Sequence, residues 1–143
     1  MQVPNSFVAG SIAQSSQVNA NFQALAEAIL PTFVFTVPGT LFTGTNLTLA
    51  LISHGNWTIS KVYAYVKTAP TGANIIADIE VNGVSIWSVT TADRVHILAG
   101  VQSGNQTSFD NDTLSEGDII TLDVTQIGST IAGSDLTIEM KVN

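Results

Sequence analysis

The sequence predicts a mainly β protein: a single jelly-roll-like, antiparallel β-sandwich of about eight strands, preceded by an extended N-terminal arm and one short α-helix. From residue 32 onward, apolar and polar residues alternate in short runs, which is the pattern of half-buried strands. Turn residues separate these runs at short spacing, and this favours a sandwich. We therefore expect two parts, an arm with an assembly helix at 1–31 and a β-sandwich domain at 32–143.

One stretch, residues 15–31, does not follow the β pattern. Its large apolar residues lie four, three and four positions apart, which gives one narrow stripe on a helix, the seam of a short coiled coil. They are Val18, Phe22, Leu25 and Ile29. Ser15 or Ser16 can cap the start of the helix, and Pro31 ends it.

An isolated helix of this length is marginally stable in water. The stripe therefore predicts subunit assembly around a symmetry axis, and the alternative is a helix that packs across the sandwich of its own subunit. Ahead of the helix, Val3, Phe7 and Ile12 supply apolar anchors. We expect this arm to dock on a neighbouring protein.

The strand candidates are short runs between turn residues. They are 32–37, 47–52, 57–67, 74–81, 84–89, 94–101, 119–127 and 135–142. Asn82-Gly83 is the strongest hairpin signal, because both residues tolerate positive φ. The segment 103–112 is rich in Gly, Asn, Asp, Ser and Thr and is predicted to be a loop.

The larger aromatic residues allow two interpretations. They are Trp57, Tyr63, Tyr65 and Trp87. The first three share one alternating set with Ile59, so we expect them on a buried strand face. The alternative is an exposed platform on which sugar rings stack.

The composition excludes several classes of partner. The formal net charge is −7, and no run of Lys or Arg interrupts this acidic balance, so nucleic acid is not an expected partner. No apolar run approaches the ~20 residues that span a bilayer, so membrane insertion is not expected, and no signal peptide is visible. Only 10% of residues are charged, against about 25% in typical soluble domains, which favours extensive subunit contacts or a Thr/Asn-rich β-surface.

No combination of residues in the sequence matches a known catalytic motif, so an enzyme is not predicted. Cysteine is absent, which removes thiol nucleophiles and zinc–thiolate sites. The histidines are His54 and His96; neither lies in a recognisable nucleophile motif, and G-x-S-x-G is missing. A glycosidase that uses two carboxylates leaves no local sequence trace and stays as a minor alternative. We therefore expect no catalytic residue, no metal and no cofactor.

The segment Asp110-Asn111-Asp112 resembles half of a calcium loop. The glycine and glutamate of an EF-hand loop are missing at the required spacing, and Asp and Asn also stabilise turns through side-chain bonds to the backbone. We favour a turn, and the sequence leaves calcium open. Asp118 follows Gly117 and is expected to hold its own turn.

The N-terminal segment 5–25 resembles a segment that recurs in bacteriophage tail-fibre and related virion proteins. The matching positions are Asn5, Phe7, Gly10, Ala13, Ser16, Val18, Asn19, Asn21 and Phe22. The later segments 68–87, 114–118 and 123–129 look like a β-module of phage fibre and appendage proteins. This resemblance implies a virion structural role, usually as a homotrimer with a β-sandwich head.

These observations together predict a phage virion protein, made in the host cytoplasm and located on the particle surface. It would be a homotrimeric capsid-decoration, head-fibre or small tail-fibre subunit, attached to capsid or tail proteins through its arm and helix. The alternative is a module that binds a host-surface glycan through the loop 103–113. The candidate receptor residues of that loop are Asn105, Phe109, Asp110 and Asp112.

Overall fold

The computed structural model describes residues 4–6, 8–10, 12, 14–28 and 30–143, and the side chains of these residues other than 27 and 28. Over this part of the chain it contains helix α1, Ser15–Ala28, followed by strands β1 to β10. The strands are β1 Thr32–Thr40, β2 Leu51–Ile52, β3 Trp57–Thr68, β4 Ile75–Val81, β5 Val84–Ser85, β6 Val95–Ile97, β7 Ser103–Gln106, β8 Thr113–Leu114, β9 Ile119–Gln126 and β10 Ser134–Val142.

The strands form two antiparallel sheets. The first sheet has the order β1-β10-β3-β7, with β8 added to the start of β3. The second has the order β2-β9-β4, and both β5 and β6 pair with β4. Without the two-residue strands β5 and β8, consecutive strands alternate between the sheets, except that β4 and β6 both belong to the second sheet. This is the strand order of a jelly roll, so the predicted fold class is confirmed.

The core lies between the sheets and is almost entirely aliphatic. Its large, fully buried side chains include Trp87, Phe35, Ile75, Ile79, Ile86, Ile97, Leu114, Ile120, Leu122, Leu136, Ile138 and Met140. In β10 every second residue from Leu136 to Val142 is buried, as expected for a strand with one face on the core. Trp87, the fourth of the larger aromatic residues, is fully buried in this core.

The predicted buried face of β3 is wrong beyond Ile59. Tyr63 and Tyr65 are exposed, whereas Val62, Ala64 and Val66 point into the core. The cause is a β-bulge: Lys61 pairs with Lys141 but Ile59 pairs with Val142, so Ser60 is an extra residue in β3. One extra residue moves every following side chain to the opposite face.

Three strand predictions differ from the structure in length. The run 47–52 forms only the short strand β2, although the N–H groups of Gly44 and Leu47 donate to carbonyls of β9. The run 84–89 stops at Ser85, where the chain turns inward to bury Ile86 and Trp87, and the run 94–101 shortens to β6.

The predicted loop 103–112 begins with a strand. Residues 103–106 form β7, which pairs with β3. Its polar sequence carries no apolar alternation, because β7 is the edge strand of the sheet and none of its residues is buried. The Asn82-Gly83 prediction is confirmed, since both residues have positive φ, 52° and 80°, in the β4–β5 hairpin.

Candidate functional site

The apolar stripe of α1 is uncovered. Every helix side chain that the structure describes, from 15 to 26, is half-buried or exposed. Phe22 is 67% exposed and Leu25 40%, and Val18 is half-buried. The fourth stripe residue, Ile29, lies outside the described residues. No described side chain of the stripe is therefore enclosed by the β-domain of the same chain.

The arm before the helix folds back against it. The side-chain amide of Asn21 donates to the carbonyl oxygen of Asn5, and its oxygen accepts from the backbone N–H of Asn5, both at 3.0 Å. One asparagine thus satisfies both backbone groups of Asn5, as a neighbouring strand would. Of the three predicted anchors, Ile12 is exposed, and Val3 and Phe7 lie outside the described residues.

The helix starts at least one residue earlier than a cap at Ser15 or Ser16 would place it. Ser15 is the first helical residue, so Gln14 occupies the capping position. The Gln14 carbonyl accepts from the N–H groups of Gln17 and Val18, and the Gln14 N–H donates to the side-chain oxygen of Gln17 at 3.4 Å. The bond between the Gln14 N–H and the Gln17 side chain is one of the two bonds of a capping box, in which the side chain of the third helical residue accepts from the N–H of the capping residue.

A second apolar surface lies on the outer face of the second sheet. Ile52 and Ile119 are directly paired across β2 and β9, and both are about half exposed. Leu49, just before β2, is largely exposed as well. Adjacent exposed isoleucines on one sheet face are typical of surfaces that another protein covers.

The predicted receptor residues play different roles. Phe109 packs against Trp87, with 5.7 Å between the ring centroids. Asp110 accepts bonds from the N–H groups of Thr90 and Val89 at 2.7 and 2.8 Å, and these bonds hold the pKa of Asp110 below its ordinary value. Both residues therefore stabilise their own loop.

The other two predicted receptor residues, Asp112 and Asn105, make different contacts. Asp112 is exposed and accepts a bond from the neighbouring hydroxyl of Thr113 at 3.3 Å. Asn105 lies on β7, directly opposite Tyr63 of β3. The receptor role of these four residues stays a prediction.

Asp118 holds its own turn. Asp118 accepts from the Ser115 N–H at 2.7 Å and from the Asn82 amide at 2.8 Å, and these bonds keep the pKa of Asp118 low. Within the described residues, no group of three or more His, Asp or Glu side chains is placed to hold a metal ion. The same residues contain no helix long and apolar enough to cross a bilayer.

A pair of buried carboxylates lies on the second sheet. Asp78 of β4 is directly opposite Asp123 of β9, and both are buried. Asp78 bonds to the Ser85 hydroxyl at 2.6 Å and to Arg94 Nε at 2.8 Å. Asp123 accepts from the N–H of Asn46 at 2.8 Å. The two carboxylates lie side by side and are bound by residues of the same chain. A glycosidase requires instead two carboxyl groups that face the scissile bond from opposite sides.

The outer face of the first sheet carries an open groove of about 510 Å³ over β3, β7 and β10. Tyr63 and Tyr65 form its floor, 37% and 50% exposed. In the sheet register, Tyr63 lies between Glu139 and Asn105, and Tyr65 lies between Thr137 and Ser103. Of the four aromatic residues considered for a platform, only Tyr63 and Tyr65 lie on this surface, since Trp57 is half-buried and Trp87 is buried.

Lysines lie at one end of this groove. Lys61 and Lys141 are paired in the sheet register, and their ammonium nitrogens lie 4.5 and 5.4 Å from the centroid of the Tyr63 ring. Lys67 follows on the same face of β3.

Comparisons of the chain with protein-family models, with curated proteins and with solved structures gave no match.

Proposed function

We propose that this chain is a structural protein of a bacteriophage particle, a homotrimeric capsid-decoration, head-fibre or small tail-fibre subunit. In this proposal the arm and α1 assemble and attach the subunits, and the jelly-roll domain faces outward. The observation that carries the assembly role is the exposed stripe of α1, with Phe22 and Leu25 in the open. Burial of such surface between subunits contributes about 25 cal/mol per Å².

The phage context rests on the resemblance of the segment 5–25, and the structure gives part of that motif a physical role. Asn5 and Asn21 both belong to the motif, and they bond to each other. The bond ties the arm to the helix, so the motif supports a preformed arm-and-helix unit. The exposed pair Ile52 and Ile119 adds a further apolar surface suited to contacts between sandwich domains.

Replacement of both stripe residues tests the assembly role. We expect the Phe22→Asp, Leu25→Asp variant to be monomeric in multi-angle light scattering, because two carboxylates in an apolar seam lose their hydration without gaining partners. The Gln17→Asp, Gln23→Asp variant adds the same charge away from the stripe and should keep the wild-type mass. A double stripe variant that retains the wild-type oligomer would contradict the proposal, as would a monomeric wild-type protein.

The virion role has its own test. Antibodies against the sandwich domain should decorate intact phage particles in electron microscopy, at one type of position on the particle. Particles that carry no label and contain no peptide of this chain by mass spectrometry would exclude the role, whatever the oligomeric state.

A further inference from the structure

We propose that the groove over Tyr63 and Tyr65 binds an acidic carbohydrate, a glycan that carries carboxylate or sulfate groups. This site lies on the face of the first sheet and is separate from α1. It goes beyond the assembly role, and its test is independent of the oligomeric state.

The floor of the groove suits a sugar ring. The chain has two tyrosines, and both lie on this face at neighbouring outward positions of β3, in an open groove of about 510 Å³. Exposed aromatic rings offer flat apolar surfaces, while the phenol groups remain in water. The C–H face of a saccharide can stack on the Tyr65 ring, beside the Tyr63 ring that the ammonium groups of Lys61 and Lys141 contact.

The rim supplies the polar contacts that sugar hydroxyls need. Ser103, Asn105 and Glu139 line the groove beside the tyrosines. A carboxylate accepts from hydroxyl groups, an amide both donates and accepts, and a serine hydroxyl does either. A few such groups around an apolar floor fix the orientation of a ligand.

The charge distribution selects an acidic ligand. The protein has a net charge of −7 and three lysines, Lys61, Lys67 and Lys141. All three lie on this one face of the sheet, and the remaining cation, Arg94, is paired with the buried Asp78. This face is therefore where an otherwise acidic surface attracts an anion; Lys141 lines the groove itself, and Lys61 lies at the Tyr63 ring.

Single-stranded nucleic acid also combines stacking with negative charge, but the groove fits it less well. Glu139 lies directly beside Tyr63, where it would repel a phosphate chain. The overall charge of −7 opposes a long polyanion over the rest of the surface. A short acidic saccharide carries neutral hydroxyl groups as well as its anionic group, so it can place a hydroxyl at Glu139 and the anionic group at Lys141.

A glycan array provides the experiment. The intact protein is applied to sialylated, uronic-acid-containing and sulfated glycans, each displayed beside its neutral counterpart, and a labelled oligothymidylate serves as the nucleic-acid probe. We expect saturable binding to at least one acidic glycan, at least tenfold weaker binding to its neutral counterpart, and weakening as the salt concentration rises.

Matched variants locate the site. Tyr65→Ala should weaken binding about tenfold, as expected for a central aromatic contact, whereas Phe42→Ala, which removes an equally exposed aromatic elsewhere, should not. Lys141→Gln should weaken binding about fivefold and reduce its salt dependence. Lys67→Gln removes the same charge from the same face but outside the groove lining, and its effect should stay below twofold.

Four outcomes would overturn the proposal. They are no binding to any acidic glycan, equal binding to the neutral counterparts, binding that is unchanged in both Tyr65→Ala and Lys141→Gln, and tighter binding of oligothymidylate than of every glycan. Thermal unfolding of each variant identifies folded protein, and these exposed side chains are expected to leave the melting temperature nearly unchanged. Their oligomeric state, measured in parallel, separates this result from that of the α1 variants.

Discussion

The ion pair between Asp78 and Arg94 shows how a single buried residue links stability to pH. Burial raises the pKa of Asp78 above its ordinary value, while the Ser85 hydroxyl and the Arg94 guanidinium oppose the rise. A carboxyl with a higher pKa in the folded state stabilises the fold at low pH, and this contribution is lost as the pH rises through the raised pKa. Arg94 limits that loss, because it compensates the charge of the ionised form.

We therefore expect Arg94→Gln to destabilise the protein more at neutral pH than in acid. At neutral pH the variant leaves the carboxylate of Asp78 charged, buried and without its cation, at a cost of about 3 kcal/mol. The difference from the wild type should shrink as the pH falls towards about 3.9, the ordinary pKa of an aspartate, because Asp78 then becomes neutral. Denaturant unfolding at several pH values measures this difference.

A double variant serves as the control for this prediction. Asp78→Asn combined with Arg94→Gln removes both charges, so its difference from Asp78→Asn alone should depend on pH much less; the part that remains comes from Glu80, whose pKa is raised by partial burial and lowered by the charge of Arg94. A destabilisation by Arg94→Gln that is equal at neutral and acidic pH would show that the ion pair is not its cause.

The Asn21→Asp variant tests the bond between Asn21 and Asn5, because it replaces only the side-chain amide nitrogen by an oxygen. In Asn21→Asp the donor to the Asn5 carbonyl is lost and a negative oxygen takes its place. We expect the arm to detach at a cost of about 1 kcal/mol or more, so the Asn5 amide should exchange hydrogen for deuterium faster. Asn19→Asp changes another asparagine of the same helix and should leave that exchange rate unchanged. Equal protection of Asn5 in both variants would contradict the role of Asn21.

At the scale of elements, β3 explains the main error in the sequence-based prediction. The alternating set that contains Trp57 and Ile59 also contains Lys61 and Lys67, and a strand face with two lysines is not buried without partners. The two lysines therefore indicate that the alternation is interrupted between Ile59 and Lys61. The sequence held no sign of the bulge at Ser60 itself, which depends on the partner strand β10.

Deletion of Ser60 tests whether the bulge sets which side chains of β3 point inward. Removal of Ser60 should force one end of β3 to exchange its inward and outward side chains, which exposes buried residues such as Ile59 and costs about 3 kcal/mol or more. Ser60→Ala keeps the residue count and loses only the hydroxyl bond to the Lys141 carbonyl, 3.1 Å long, at about 1 kcal/mol or less. Denaturant unfolding compares the two, and equal losses of stability would argue against the bulge.

Local features followed from the sequence, and long-range ones did not. The Asn82-Gly83 hairpin, the helix at 15–28 and the long strands rest on contacts between near neighbours in the chain, so short patterns predict them. The strand β7 and the lysine cluster depend on β3 and β10 meeting. Lys141 is remote from Lys61 in sequence, and only sheet register makes them neighbours. A count of basic runs therefore missed this cationic patch.

At the scale of the whole molecule, the two sheets offer different outer surfaces. The first presents tyrosines, lysines and the groove, whereas the second presents exposed isoleucines beside the buried aspartates. If the subunits associate through α1 and the second sheet, the groove of each subunit stays open. A trimer would then present three grooves, and weak individual sites could act together through multivalency.

The strand order also bears on how the chain is synthesised. β10, the last strand to be made, lies in the middle of its sheet, between β1 and β3. While the chain emerges from the ribosome, β1 and β3 both lack their central partner, and a sheet held by such distant pairings closes slowly. The first sheet is therefore expected to form only after β10 has left the ribosome, and until then its unpaired strand edges are open to other nascent chains.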